Sequence, residues 1–177
     1  MILLDTSGLL AAIDSSQHQH AAAAGALGGA RAPRLLSPFV LAELDYLLAT
    51  RVGVEAKHAL MDEVARGAYR LEAFTAEHVA AAKAILVRYR DLGIGLADAS
   101  ICVLAARYDV YDVLTLDHRH FNAMRGPGGG ASGSIPDVGI LLTEDCRHTV
   151  RQSRGIRVPM SSSPRVRDHA SSRARRR

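Results

Sequence analysis

The chain has 177 residues, 48% of them hydrophobic and 23% charged, which is enough for one hydrophobic core of ordinary size with some length to spare. Its formal net charge of +4 is unevenly placed: residues 1–125 hold 12 Lys/Arg against 14 Asp/Glu, and residues 126–177 hold 10 against 4, so the basicity gives no reason to treat the main body as a nucleic-acid-binding surface. Cys102 and Cys146 stand far apart with no CxxC pair and no Cys/His cluster, which argues against a zinc site or a disulfide scaffold, and no apolar run approaches the ~20 residues of a membrane span.

Ile2-Leu3-Leu4 reads as a short buried strand that ends at Asp5, with Thr6-Ser7-Gly8 as the turn into a helix starting near Leu9. The Ala/Gly-rich stretch from Ala21 to Ala30 carries little information. Arg34-Leu35-Leu36 reads as a second strand, followed by Ser37 as N-cap and Pro38 as the first residue of a helix. In that helix Val40, Leu41, Leu44, Leu47 and Leu48 recur at helical spacing, and Glu43 falls beside Leu47 at the edge of the apolar stripe. Residues 55–68 suggest an amphipathic helix, Arg70 to Phe74 a short strand, and 76–91 a further helix ending near Gly93. Gly93-Ile94-Gly95 then leads into an apolar helix from Leu96 to about Tyr108, with Asp98 in its first turn; Cys102, in Ile101-Cys102-Val103-Leu104, is expected to be a buried, reduced thiol with no disulfide. Val113-Leu114-Thr115-Leu116 is the clearest strand, and Asp117 ends it.

Alternating strands and helices point to an α/β three-layer domain with a short, mostly parallel sheet. Ligands of such sheets bind beyond the C-terminal strand ends, where Asp5 and Asp117 fall. Acidic side chains beside apolar strands and helices are costly unless a cation neutralises them. Asp5, Glu43, Asp98 and Asp117 form such a set. Mg²⁺ takes oxygen ligands at ~2.0–2.1 Å and keeps several waters, so a few carboxylates suffice; it activates a bound water and offsets charge on a phosphodiester, and a second ion ~3.5–4 Å away stabilises the leaving oxygen. The remaining polar residues are assigned more modest places. Asp45 lies about 200° around the helix from Glu43 and belongs to the solvated face. Asp14, Asp109 and Asp112 flank turns or helix ends as surface residues, and Lys83, Arg88 and Arg90 form a solvated helix surface. His118 and His120 read as exposed loop, and Arg119 as a candidate phosphate contact through its bidentate guanidinium.

The segments MILLDTSGLLAAI, LLSPFVLAELDYLLATRVG, DLGIGLADASICVLAARY and VLTLDHRHF, in this order and spacing, resemble the PIN domain, and within it the VapC-type toxins of toxin–antitoxin pairs. The resemblance runs from Met1 to about Arg125. It implies a three-layer α/β/α fold and a Mg²⁺- or Mn²⁺-dependent endoribonuclease whose catalytic carboxylates are Asp5, Glu43, Asp98 and Asp117. Asp5 and Asp98 are then the direct metal ligands, Asp117 a ligand to the same or a second ion, and Glu43 the residue that positions or activates the water. Thr6 and Thr115, beside two of the acids, are assigned to orienting them or the metal's waters. The expected partners are an RNA substrate, a VapB-type antitoxin and a second copy of the chain, in the cytoplasm and without a membrane segment.

After Arg125 the chain departs from this pattern. Gly128-Gly129-Gly130 leads not into a final apolar strand but into a Gly/Ser/Arg-rich run ending Ser-Ser-Arg-Ala-Arg-Arg-Arg, so residues 126–177 are expected to be a mostly disordered tail following the 1–125 domain. A reading frame lost near Arg125, through a frameshift or a misannotated gene, would account for the change. Three other readings stand beside the ribonuclease: a PIN-fold module that binds RNA or protein without cutting, an unrelated phosphate-transfer enzyme, and a nucleic-acid-binding arm made by the tail. The phosphate-transfer reading lacks both an Asp-x-Asp start and a Gly-rich Lys-Ser/Thr loop.

Overall fold

The computed structural model describes residues 1–110 and 112–117. Four strands, β1 (Ile2–Leu4), β2 (Arg34–Leu36), β3 (Arg70–Leu71) and β4 (Val113–Leu114), form a sheet of order β3-β2-β1-β4 in which every pairing is parallel. Six helices connect them: α1 (Thr6–Ile13), α2 (His20–Gly29), α3 (Pro38–Arg51), α4 (Val54–Ala65), α5 (Ala76–Arg88) and α6 (Leu96–Tyr108). The connections β1→β2 and β2→β3 step one way across the sheet and β3→β4 returns past β1. With right-handed crossovers this puts α5 and α6 on the face opposite to α1–α4, which is a three-layer α/β/α arrangement. Leu3, Leu4, Leu35, Leu36, Val113 and Leu114 are all buried, as strands covered on both faces must be.

The order of the strands fixes where a ligand can go. The chain leaves β1 toward β2 on one side, while β4 pairs with β1 on the other, so the crevice beyond the carboxyl ends of β1 and β4 is the topological switch point of the sheet. Asp5 follows β1 and Thr115 follows β4, so both stand at that crevice.

The crevice is narrow because α1 begins at once. Asp5 caps the helix, accepting from the Ser7 N–H, and the first turn runs under β4. At Gly8 a Cβ would lie 2.3 Å from the Leu114 carbonyl oxygen, so only glycine lets the helix approach the strand.

Several local expectations are corrected. The first helix starts at Thr6 rather than near Leu9, because Asp5 itself is the cap. The stretch Ala21 to Ala30 is almost wholly helical, as α2: its small side chains give no amphipathic period, and packing of α2 on α1 supplies what the pattern lacks. The helix expected over 55–68 runs Val54–Ala65, and the strand expected over Arg70 to Phe74 is only Arg70–Leu71. Asp14 is buried, not a surface residue: it ends α1 and accepts from the Ser16 N–H (3.0 Å), the Ser16 hydroxyl (2.7 Å) and the Gln17 amide (3.3 Å), which hold its carboxyl below the usual range. Asp45 is half-buried and ion-paired with Lys57 at 2.8 Å, tying α3 to α4. Cys102 is buried, as expected. Arg119, His118, His120, Cys146 and the whole 126–177 segment lie outside the described residues.

The Gly8 contact generates a prediction. Gly8→Ala should cost about 2 kcal/mol or more through overpacking against β4, lowering the thermal midpoint by roughly 4–8 °C. Thermal unfolding followed by circular dichroism would check it, and an unchanged midpoint would show that β4 does not sit so close.

Candidate active site

Four elements deliver the acidic residues to the switch-point crevice or its rim. Asp5 comes from the end of β1, Glu43 from the second turn of α3, Asp98 from the first turn of α6 and Asp117 from just beyond β4. Their local supports differ, and the supports explain what each carboxylate is free to do.

Asp5 is the buried one. Its Oδ2 accepts three hydrogen bonds: from the Ser7 hydroxyl at 2.5 Å, the Thr115 hydroxyl at 2.8 Å and the Ser7 N–H at 3.3 Å. Each hydroxyl has a single hydrogen and directs it at Oδ2, so the 3.2 Å contact between the Ser7 and Thr115 oxygens carries no hydrogen. Each hydroxyl oxygen in turn accepts a backbone N–H from the chain leaving β4, Leu116 to Ser7 at 2.9 Å and Asp117 to Thr115 at 3.0 Å. The pair therefore latches the exit of β4 onto the cap of α1. Among the described residues every side-chain hydrogen bond to Asp5 falls on Oδ2.

Burial pushes the Asp5 carboxyl above the ordinary range; the hydrogen bonds from Ser7 and Thr115 oppose that shift, and the negative charge of Asp98 adds to it. The repulsion places Asp98 within electrostatic reach of Asp5. Asp98 also accepts from the Gly95 N–H at 2.8 Å, closing the first turn of α6, where the helix dipole favours a carboxylate. The sequence reading placed it at this helix start, and the structure adds its proximity to Asp5.

Glu43 is exposed, and Thr6 donates to its Oε2 at 2.7 Å. Thr6 thus orients Glu43 rather than its neighbour Asp5, while Thr115 does orient Asp5. Asp117 is half-buried, with its N–H anchored on Thr115. Ser7 was missed by the sequence reading, which placed it in a turn. Its position two residues after an acid at a helix start, an Asp-x-Ser cap, was the available signal.

The donors of this crevice are carboxylate and hydroxyl oxygens, the set a hard divalent cation takes. Among the described residues no three His, Cys, Asp or Glu side chains are gathered closely enough to enclose a metal ion. The buried Asp5 carboxyl, raised by burial and further by the charge of Asp98, is the feature that a cation would relieve.

The sequence profile of the PIN domain matches residues 2–126. The chain is also 45% identical over 135 residues to Ribonuclease VapC26 of Mycobacterium tuberculosis, across 76% of this chain and 100% of that protein. This chain belongs to the PIN-domain family. Its likeness along the full length of a VapC ribonuclease puts it among the VapC-type members. The crystal structure of M. tuberculosis VapC20, described as a Sarcin-Ricin loop cleaving toxin, superimposes with a TM-score of 0.65 at 24% identity, covering 70% of this chain and 95% of that one. The VapBC2 complex of Rickettsia felis bound to a promoter DNA fragment gives 0.52 at 20% identity, covering 81% of this chain and 98% of the other. These two likenesses establish the PIN fold.

Two predictions follow from the latch. Ser7→Ala deprives the Leu116 N–H of its acceptor and should destabilise the protein by about 1–3 kcal/mol, read by urea unfolding. The second concerns pH. Without metal, the folded-state pKa of Asp5 is raised, so the stability this group contributes is full below its unfolded pKa and is lost as pH rises through the folded value. Asp5→Asn should therefore raise the metal-free melting temperature at neutral pH and flatten its fall with pH, while removing any rise on adding Mn²⁺. A mutant less stable than wild type throughout that range would contradict it.

Proposed function

We propose that the protein is a VapC-type ribonuclease toxin that hydrolyses RNA phosphodiester bonds with Mg²⁺ or Mn²⁺, using Asp5, Glu43, Asp98 and Asp117. The observation that carries the activity is the 45% identity to Ribonuclease VapC26 over that protein's entire length. The metal requirement rests on the buried Asp5 carboxyl, destabilised by burial and by the charge of Asp98, a state that is unfavourable without a cation.

When bound, the divalent ion supplies charge neutralisation and an activated water for attack on phosphorus. The chain's own residues do the rest. Asp5 is held in orientation by the Ser7 and Thr115 latch on its Oδ2. Asp98 approaches from the other face of the sheet on the stiff first turn of α6, so the two ligands are held by elements that cannot move independently of the core. Glu43 stands at the solvent side with Oε2 taken by Thr6, which directs Oε1 to orient the attacking water or accept its proton. Asp117, carried by the latch, is the further ligand for the same or a second ion. Arg119, two residues on, is assigned to a substrate phosphate.

The partners proposed are an RNA substrate, a VapB-type antitoxin and a second copy of the chain. Tyr46, Val52 and Val54 on the α3–α4 hairpin are exposed apolar side chains that a second copy of the chain could cover. No helix among the described residues is long and apolar enough to cross a membrane, and an RNA substrate suits a cytoplasmic site of action.

Purified protein incubated with structured RNAs should give discrete products with Mg²⁺ or Mn²⁺ and none with EDTA. Asp98→Asn should lower the rate by about a hundredfold or more, at least the upper end of the loss when a metal ligand's support is removed. Cleavage that survives EDTA and Asp98→Asn unchanged would overturn the assignment.

A further inference from the structure

Beside the acidic crevice lies a second hydroxyl pair that the activity, as derived so far, does not use. Ser37 follows β2 as Asp5 follows β1, and because Leu4 and Leu36 are register partners the two residues leave the sheet side by side. Ser37 caps α3, and Ser100 lies on α6 two residues after Asp98. Both are essentially inaccessible, at 1% and 0% exposure, and their hydroxyl oxygens are 2.6 Å apart.

The hydrogens of this pair can be assigned. The Ser100 hydroxyl donates to the Ala97 carbonyl at 2.6 Å, which commits its only hydrogen. The 2.6 Å contact between the serines must then use the hydrogen of Ser37. The Ser37 oxygen meanwhile accepts the Phe39 N–H at 3.2 Å. The result is a one-way relay, Phe39 N–H to Ser37 to Ser100 to the Ala97 carbonyl. It starts at the first turn of the helix that carries Glu43 and ends on the peptide group whose nitrogen belongs to Asp98. Hydrogen bonds aligned in one direction polarise one another, and a buried chain with every donor and acceptor matched has one favoured geometry.

Stability alone does not require this device. A pair of small apolar side chains would fill the same space at little cost, since replacing both partners of a buried hydrogen bond is often close to neutral. What apolar packing lacks is direction. The relay fixes the rotation and height of the first turn of α6 against α3 across the carboxyl edge of the sheet.

We propose that Ser37 and Ser100 are positioning residues: their buried relay holds the first turn of α6, and with it Asp98, beside the Asp5 crevice that takes the divalent cation. This rests on the metal-dependent ribonuclease reading and adds to it two residues that touch neither metal nor RNA.

The test compares the wild-type full chain with Ser100→Ala, Ser37→Ala and the double variant, each first shown to be folded by circular dichroism. Mn²⁺ alone is titrated by electron paramagnetic resonance, and kcat and KM are measured on one RNA. The expected result is that Ser100→Ala weakens Mn²⁺ binding about tenfold, the lower range for groups that orient a metal's ligands. It should also lower kcat at fixed metal, restored by more Mn²⁺, and leave KM for RNA unchanged. Because the serines act as one unit, the double variant should bind Mn²⁺ no more weakly than the worse single variant while regaining thermal stability. Should Ser100→Ala fail to fold, Ser100→Cys takes its place, keeping the size with a weaker hydrogen-bonding group. A folded variant whose Mn²⁺ affinity stays within twofold of wild type, whatever its melting temperature, would overturn the proposal and leave the relay a packing feature. Failure of wild type itself to bind Mn²⁺ or cut RNA would instead overturn the ribonuclease reading on which the relay's role depends.

Discussion

The negative charge at the carboxyl edge of the sheet is the constraint from which the other features of this crevice follow. Asp5 is buried at the switch point of a parallel sheet, and the charge of Asp98 reaches it from α6. A carboxylate in that position is held only by what surrounds it, and here two hydroxyls and a backbone N–H converge on one of its oxygens. Those donors do not remove the excess charge. They lock the orientation of the group, so that the unfavourable charge becomes a standing attraction for a cation.

The same economy appears in the way the elements are joined. Ser7 and Thr115 use their hydrogens on Asp5 and their lone pairs on the backbone leaving β4, so one small cluster both orients Asp5 and fixes the exit of β4. Gly8 permits this by letting α1 lie directly against Leu114. On the other flank of Asp5, the Ser37–Ser100 relay plays a matching part between α3 and α6. Hydroxyl groups on either side of the acid thus couple four separate chain segments with short side chains, which lose little rotamer freedom on ordering.

Much of this was open to inspection in the sequence, and particular residues show why. Val113-Leu114-Thr115-Leu116 and Ile2-Leu3-Leu4 are short apolar runs ended by an acid, and a parallel strand buried on both faces reads in that way. Ser37-Pro38 declares a helix start because capping is local chemistry. The Ala/Gly stretch that becomes α2 gave no such signal, since its helicity depends on packing against α1. Asp14 looked like a surface acid because nothing in the local pattern says that a loop will fold its own hydroxyl and amide back onto it.

The sequence by itself determined the alternation of strands and helices, the α/β class and the four acids at strand ends and helix turns, because these depend on periodicity, capping and residue type within a few neighbours. Only the tertiary structure decided that Thr6 serves Glu43 and Thr115 serves Asp5, that Ser7 belongs to the site, and that Ser37 meets Ser100. Those pairings join residues 37, 110, 109 and 63 positions apart. A hydroxyl's partner at such a separation is set by strand order and helix crossing, which no local pattern encodes.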